Sequence, residues 1–201
     1  MDETSLSLLD RLHRKPGETA WRELVELYTP LLDNWLIPFQ LQPADRDDVV
    51  QESLTTILQH VDDFRHRGQG SFRAWLRAIV LNRLREFWRR RDRHPQGTGD
   101  TAMAEMLQQL ESPNSGLSQQ WDGEHDRYVA HRLLARIEPL FEATTREAFR
   151  RVVTEGRPAR EVAAELGISV NAVLLAKSRI LRQLRLEMQG LTEVESRAAG
   201  Q

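Results

Sequence analysis

The 201 residues include no cysteine, which removes disulfides, thiolate zinc sites and cysteine nucleophiles together and leaves the compartment open. Lysine is nearly absent too: Lys15 and Lys177 are the only two, so arginine carries almost all the positive charge. No apolar run approaches the roughly 20 residues that a membrane-crossing helix needs, and no secretory signal is read at the start. A cytoplasmic protein with no membrane insertion is therefore expected. His13, His60, His66, His94, His125 and His131 show no ligand spacing. There is no glycine-rich phosphate cradle with a lysine and no triad-like serine. No catalytic residue, metal or cofactor is expected, and an enzyme is the weakest of the function classes.

What the chain does have is helical periodicity. Leu6, Leu9 and Leu12 belong to a short first helix, ended by Pro16-Gly17. Trp21, Leu24, Val25, Tyr28, Leu31, Leu32 and Trp35 recur at helical spacing over residues 18–36. Pro38 and Pro43 break that helix, and Asp45 caps a third, with Val49, Val50, Leu54, Ile57, Leu58 and Val61 on its buried side. A fourth runs to about Arg91, with Phe72, Trp75, Leu76, Ile79, Val80, Leu84 and Phe87 as its apolar stripe. No alternating strand pattern competes. The fold class is all-α.

Residues 94–124 interrupt this regularity. Six prolines and glycines, with serines and glutamines around them, read as a flexible linker, with at most one short helix from Met103 to Leu110. A second domain begins near His125. It opens with a helix over 128–141, followed by a capping box of Thr144 and Glu147 that starts a helix over 145–155. The expected division is a helical domain over 1–93, a linker over 94–124, a second domain over 125–190 and a frayed tail over 191–201.

The formal net charge of −2 conceals strong segregation, and placement matters more than the total. Residues 1–63 carry 13 acidic and 5 basic side chains. Residues 65–93 carry 10 arginines against Glu86 and Asp92. Residues 94–126 carry six acidic side chains and no lysine or arginine. The basic stretch opens with Arg65, Arg67 and Gln69 among glycines and aromatics, then presents Arg73, Arg77, Asn82, Arg83, Arg85, Trp88, Arg89 and Arg90. Single-stranded nucleic acid is held by a basic groove with aromatic faces on which bases stack, and both ingredients are present. Trp75 falls on the apolar stripe and reads as core. Trp88 beside that stripe reads as a stacking platform or as core, and Asn82 as a base reader or a packing residue. The acidic Asp45, Asp47 and Asp48 are spread around a helix start with no histidine among them, so they do not form a metal site.

The end of the chain carries a second nucleic-acid signal. Residues 158–173 read as a helix, a tight turn at Gly167 and a second helix capped by Ser169. Val162, Ala163, Leu166, Ile168, Val173 and Ala176 fall where two crossed helices touch. The second helix carries Lys177, Arg179, Arg182 and Arg185, with no acidic residue from 170 to 186. A helix-turn-helix with a basic second helix suits a DNA major groove; the plain alternative is an α-hairpin with a solvated basic face.

Together these residues resemble a family. Residues 44–52 (ADRDDVVQE), residues 70–76 (GSFRAWL), Asn82-Arg83 and the closing arginine run look like region two of the sigma-70 superfamily. The terminal helix-turn-helix looks like its region four, and the arrangement resembles the small, extracytoplasmic-function type of sigma factor. The resemblance implies that Asp45, Asp48, Gln51 and Glu52 dock on the clamp helices of the largest subunit of core RNA polymerase. It implies that residues 64–71 and the arginine-rich helix capture a flipped base and the phosphates of the melted minus-ten promoter element. It implies that Ser169, Asn171, Leu175, Lys177, Ser178, Arg179 and Arg182 read the minus-thirty-five element as duplex. Promoter DNA and an anti-sigma factor are the other partners it implies. The chain departs from the family pattern at Leu174-Leu175-Ala176, where many relatives have a Lys-Ser-Arg-like triplet. A conventional one-component regulator, binding duplex DNA only, is the alternative; it would have no use for the aromatic and basic single-strand site.

Overall fold

The computed structural model describes residues 7–14, 17–61, 64, 71–90 and 98–192. Among these residues the multi-residue elements are helical, in agreement with the all-α expectation. The chain divides into two compact units: Leu8–Val129 with Gly190–Gln201, and Ala130–Gln189 with Met1–Ser7.

In the larger unit, α1 (Leu8–Arg14) is followed by α2 (Glu18–Leu36), α3 (Pro43–His60) and α4 (Ser71–Arg90). The bounds of α2 are those its periodicity predicts. Leu24, Leu27, Tyr28, Leu31, Leu32 and Trp35 are buried at three- and four-residue intervals along one face. Fully burying a leucine-sized side chain is worth roughly 1.5–3 kcal/mol, so a stripe of this length fixes the helix in place. A 3₁₀ turn at Ile37–Phe39 ends it, closing at Gln40 in the left-handed region. α3 starts earlier than expected. Pro43 occupies its first turn, where a missing N–H costs nothing. Asp45 is therefore inside the helix and buried, not at its cap.

The stretch read as a linker is largely helical, which corrects that expectation. α5 spans Thr98–Glu111 and α6 spans Gly116–Ile137. Ser115 accepts a hydrogen bond from the Ser118 N–H at 3.0 Å, capping the start of α6. Leu110 and Trp121 are buried. Gly116 and Gly123 each disfavour helix by about 1 kcal/mol relative to alanine, but a cost of that size is offset by burying one tryptophan. α6 begins well before residue 125, and the helix expected over 128–141 ends at Ile137, where a 3₁₀ turn over Glu138–Leu140 follows. At the other end, Leu191 and Thr192 are buried, two residues into the stretch read as a tail.

The smaller unit holds the last part of α6, then α7 (Ala143–Phe149), a π-helical turn (Arg150–Thr154), α8 (Ala159–Leu166) and α9 (Val170–Met188). The capping box does not form. Glu142 takes the N-cap position with no side-chain bond, and Glu147 instead pairs with Arg150 (2.7 Å) and Arg151 (2.6 Å). These guanidiniums hold the Glu147 carboxyl below its ordinary range. Pro158 sits at the N-cap of α8, one position before the first helical residue. Ala148, Val162, Ala163, Val173 and Ala176 form one buried cluster, with Leu166 and Ile168 packed on it. Ile137, Phe149 and Ile180 form a second. Gly167 has φ 65°, a backbone that a side chain rarely adopts, and this lets α9 turn back across α8.

Candidate nucleic-acid interface

α9 presents the simpler surface. Ser169 caps it as expected, accepting from the Ala172 N–H at 3.1 Å. Val173, Ala176 and Ile180 anchor its inner face. Asn171, Leu174, Leu175, Lys177, Ser178, Arg179, Arg182 and Arg185 are all exposed. Among the described residues, none of Lys177, Arg179, Arg182 and Arg185 makes an ion pair, so their charge is turned to solvent without neutralisation. A one-sided cationic surface of this kind attracts polyanions.

The arginines of α4 behave differently: among the described residues each is ion-paired within its own unit. Arg83 pairs with Glu86 at 2.7 Å, Arg89 with Glu86 at 3.6 Å, Arg90 with Glu52 at 2.7 Å, and Arg85 with Glu111. These pairs are partly or largely exposed. Such pairs are worth little, so phosphates could replace the carboxylates at small cost. Arg73 and Arg77 are another matter. They are 6 % and 4 % exposed. Arg77 meets Asp122 at 2.5 Å; Arg73 lies 3.7 Å from Asp122 and hydrogen-bonds Asp126. The expectation that Arg73 and Arg77 offer themselves to DNA is corrected, because carboxylates of α6 enclose them.

Asp126 also belongs to a buried polar chain. With His125 Nδ1 donating to Asp126 Oδ1 (3.0 Å), Nε2 is left to accept from the Tyr28 hydroxyl (3.2 Å). Burial lowers the His125 pKa below its ordinary value, against the opposing pull of Asp126, and the ring is held neutral. Burial, reinforced by Asp126, likewise pushes the Tyr28 hydroxyl well up.

The remaining expected residues fall as follows. Asp48 and Gln51 are exposed on α3, opposite buried Val49, Val50, Leu54 and Ile57. Glu52 is half-exposed and engaged by Arg90. Asp45, 6 % exposed, does not share that surface, which corrects its place in the docking set. Asn82 is exposed and accepts from Arg85 at 3.4 Å. Trp88 is half-buried and edge-on to Phe39, with centroids 6.0 Å apart. Trp75 is also half-buried, between Phe64 and Phe72 at 5.1 and 5.5 Å. Arg65, Arg67 and Gln69 lie outside the described residues. Sequence reading missed the partners Asp122 and Asp126; their four-residue spacing on one helix face was the available signal. Among the described residues no cluster of histidine and carboxylate side chains could hold a metal ion, and no helix is long and apolar enough to cross a membrane.

Residues 24–94 match the family model of sigma-70 region 2. Over 188 residues the chain is 30% identical to the RNA polymerase sigma factor CnrH of Cupriavidus metallidurans, and the match covers 90% of each chain. Among solved structures, that of CnrH in complex with the cytosolic domain of CnrY covers 88% of this chain and 92% of that one, at 23% identity and a TM-score of 0.36.

Proposed function

The chain belongs to the sigma-70 family of RNA polymerase sigma factors, of the extracytoplasmic-function-like type, and from that premise we propose how its surfaces divide the work. Its function is that of a sigma factor in transcription initiation, with RNA polymerase and promoter DNA as partners. Sigma factors are in general not enzymes; here too the chain is read as supplying specificity to the polymerase without a reaction of its own, in the cytoplasm.

Asp48, Gln51 and Glu52 form the docking face for the clamp helices of the largest polymerase subunit. Asn82, Arg83, Arg85, Trp88, Arg89 and Arg90 follow the melted minus-ten strand, their exposed carboxylate partners giving way to phosphates. Arg65, Arg67 and Gln69 capture the extruded base, a role resting on the family resemblance alone. Arg73 and Arg77 hold α6 in place. Ser169, Asn171, Leu175, Lys177, Ser178, Arg179 and Arg182 engage the minus-thirty-five duplex, and an anti-sigma factor would act by covering these surfaces.

The observation that carries this division is the contrast between the two arginine-rich helices: neutralised on α4, unneutralised on α9. A helix whose four cations have no ion-pair partner among the described residues can bind a duplex backbone without first breaking a pair. The full chain should therefore bind duplex DNA with a log–log salt slope of roughly −3, reduced by about two in an Arg179→Ala/Arg182→Ala variant. A slope unchanged by those substitutions would contradict the assignment of α9.

A further inference from the structure

Leucine left half in water gains little from folding, so two of them side by side on the otherwise polar outward face of α9 call for a partner. Leu174 and Leu175 are 50 % and 46 % exposed. At about 100° per residue, Val173, Ala176 and Ile180 point into the unit. The opposite direction falls on Asn171 and Ser178, with Leu174 and Leu175 to either side of the line between them. The outward face of α9 therefore begins with a polar Asn171, continues through a leucine pair and closes with Ser178 and Arg182. Gly167 and the Ser169 cap fix where this face begins, so the leucines lie in the first two turns of the second helix of the motif. In helix-turn-helix proteins those turns meet base edges.

In the major groove the apolar feature is the C5-methyl group of thymine, and the remaining base edges are hydrogen-bonding groups that leucine cannot satisfy. We propose that Leu174 and Leu175 read the promoter duplex through thymine methyl groups, so that the preferred minus-thirty-five element carries two neighbouring A·T pairs opposite them. Asn171, one turn earlier, is of the type that pairs bidentately with adenine N6 and N7, and so specifies an A·T pair beside them. The proposal rests on the reading of α9 as the duplex-contacting helix. Charge favours DNA over a protein as the occupant of this apolar face. The helix has no acidic residue from 170 to 186, and Lys177, Arg179, Arg182 and Arg185 surround the leucines without ion-pair partners among the described residues.

The test uses the full chain assembled with core polymerase. Duplexes are selected from a pool randomised across the minus-thirty-five region, and the preferred thymines are then replaced one at a time by deoxyuridine, which removes only the methyl group. Each replacement should weaken binding about fourfold, the worth of one buried CH₂ group, and two together about fifteenfold. A Leu174→Ala/Leu175→Ala variant should bind thymine and deoxyuridine duplexes equally well. Alanine is a strong helix former and both positions are exposed, so its helical circular dichroism should match the parent's. Three results would overturn the proposal: a parent that selects a sequence yet ignores deoxyuridine, a leucine variant that stays methyl-sensitive, or a variant that keeps its DNA preference while losing a protein partner. If instead Arg179→Ala/Arg182→Ala leaves duplex selection untouched, α9 is not the duplex-contacting helix, a failure distinct from the loss of methyl reading alone.

Discussion

Trp121 lies face to face with Trp35, ring centroids 4.6 Å apart and planes 15° from parallel. One ring comes from α2 and the other from the first turns of α6, in a stretch otherwise rich in glycine, serine and glutamine. Phe39 meets Trp121 edge-on at 6.5 Å and also touches Trp88. Through this aromatic stack the segment that reads as a linker becomes part of the core of the larger unit.

Truncating a buried tryptophan removes its transfer free energy and leaves a cavity. Trp121→Ala should destabilise the larger unit by about 3–5 kcal/mol, and Trp121→Phe by less. Urea unfolding followed by circular dichroism measures this. An unchanged midpoint would show that α6 does not dock on α2.

Asp122 is the carboxylate that reaches both buried guanidiniums, at 2.5 Å from Arg77 and 3.7 Å from Arg73, which Asp126 also engages. Asp122→Asn keeps an acceptor but removes the charge opposite Arg77, whose other contact among the described residues is a long one to the Ser118 carbonyl (3.4 Å). Removing one member of a buried pair costs about 3–5 kcal/mol because the other charge stays behind. The loss should shrink when Arg77→Met is added, since the stranded charge is gone. Additive losses in that double-mutant cycle would mean that the two side chains are not coupled.

His125 is buried as the neutral ring, so its pKa is lower in the folded chain than in the unfolded one. Protons then bind the unfolded state preferentially. The stability this contributes is complete above about pH 6.5 and declines as the pH falls below that value. A His125→Gln variant, though less stable overall, should have a flatter stability profile between about pH 6.5 and 5. A parent profile already flat across that interval would show that His125 is not held neutral.

Much of the smaller unit was legible because its signals are local. Gly167 must supply a positive φ within one turn, Ser169 caps its own helix, and Val162, Ala163, Val173 and Ala176 touch across a connection of a few residues. The bounds of α2 were equally plain from its periodicity. What escaped was non-local. Nothing around residue 121 states that Trp35 stands opposite, and nothing around Arg73 or Arg77 states that Asp122 and Asp126 arrive from some 50 residues away. An arginine paired within the fold and one awaiting a phosphate look alike in sequence. The Thr144–Glu147 pattern failed for a related reason: Glu147 has stronger partners in the guanidiniums of Arg150 and Arg151 than in a backbone N–H.

The most direct measurement is run-off transcription with core polymerase on the DNA upstream of the protein's own coding sequence. A sigma factor gives a discrete transcript there only when the chain is present. That transcript, and co-purification with core polymerase, should be lost in an Asp48→Lys/Glu52→Lys variant whose circular dichroism and unfolding midpoint stay close to the parent's. A transcript of equal yield from the charge-reversed variant would contradict the docking face, and no transcript above core polymerase alone from any promoter tested would contradict the assignment of sigma-factor function itself.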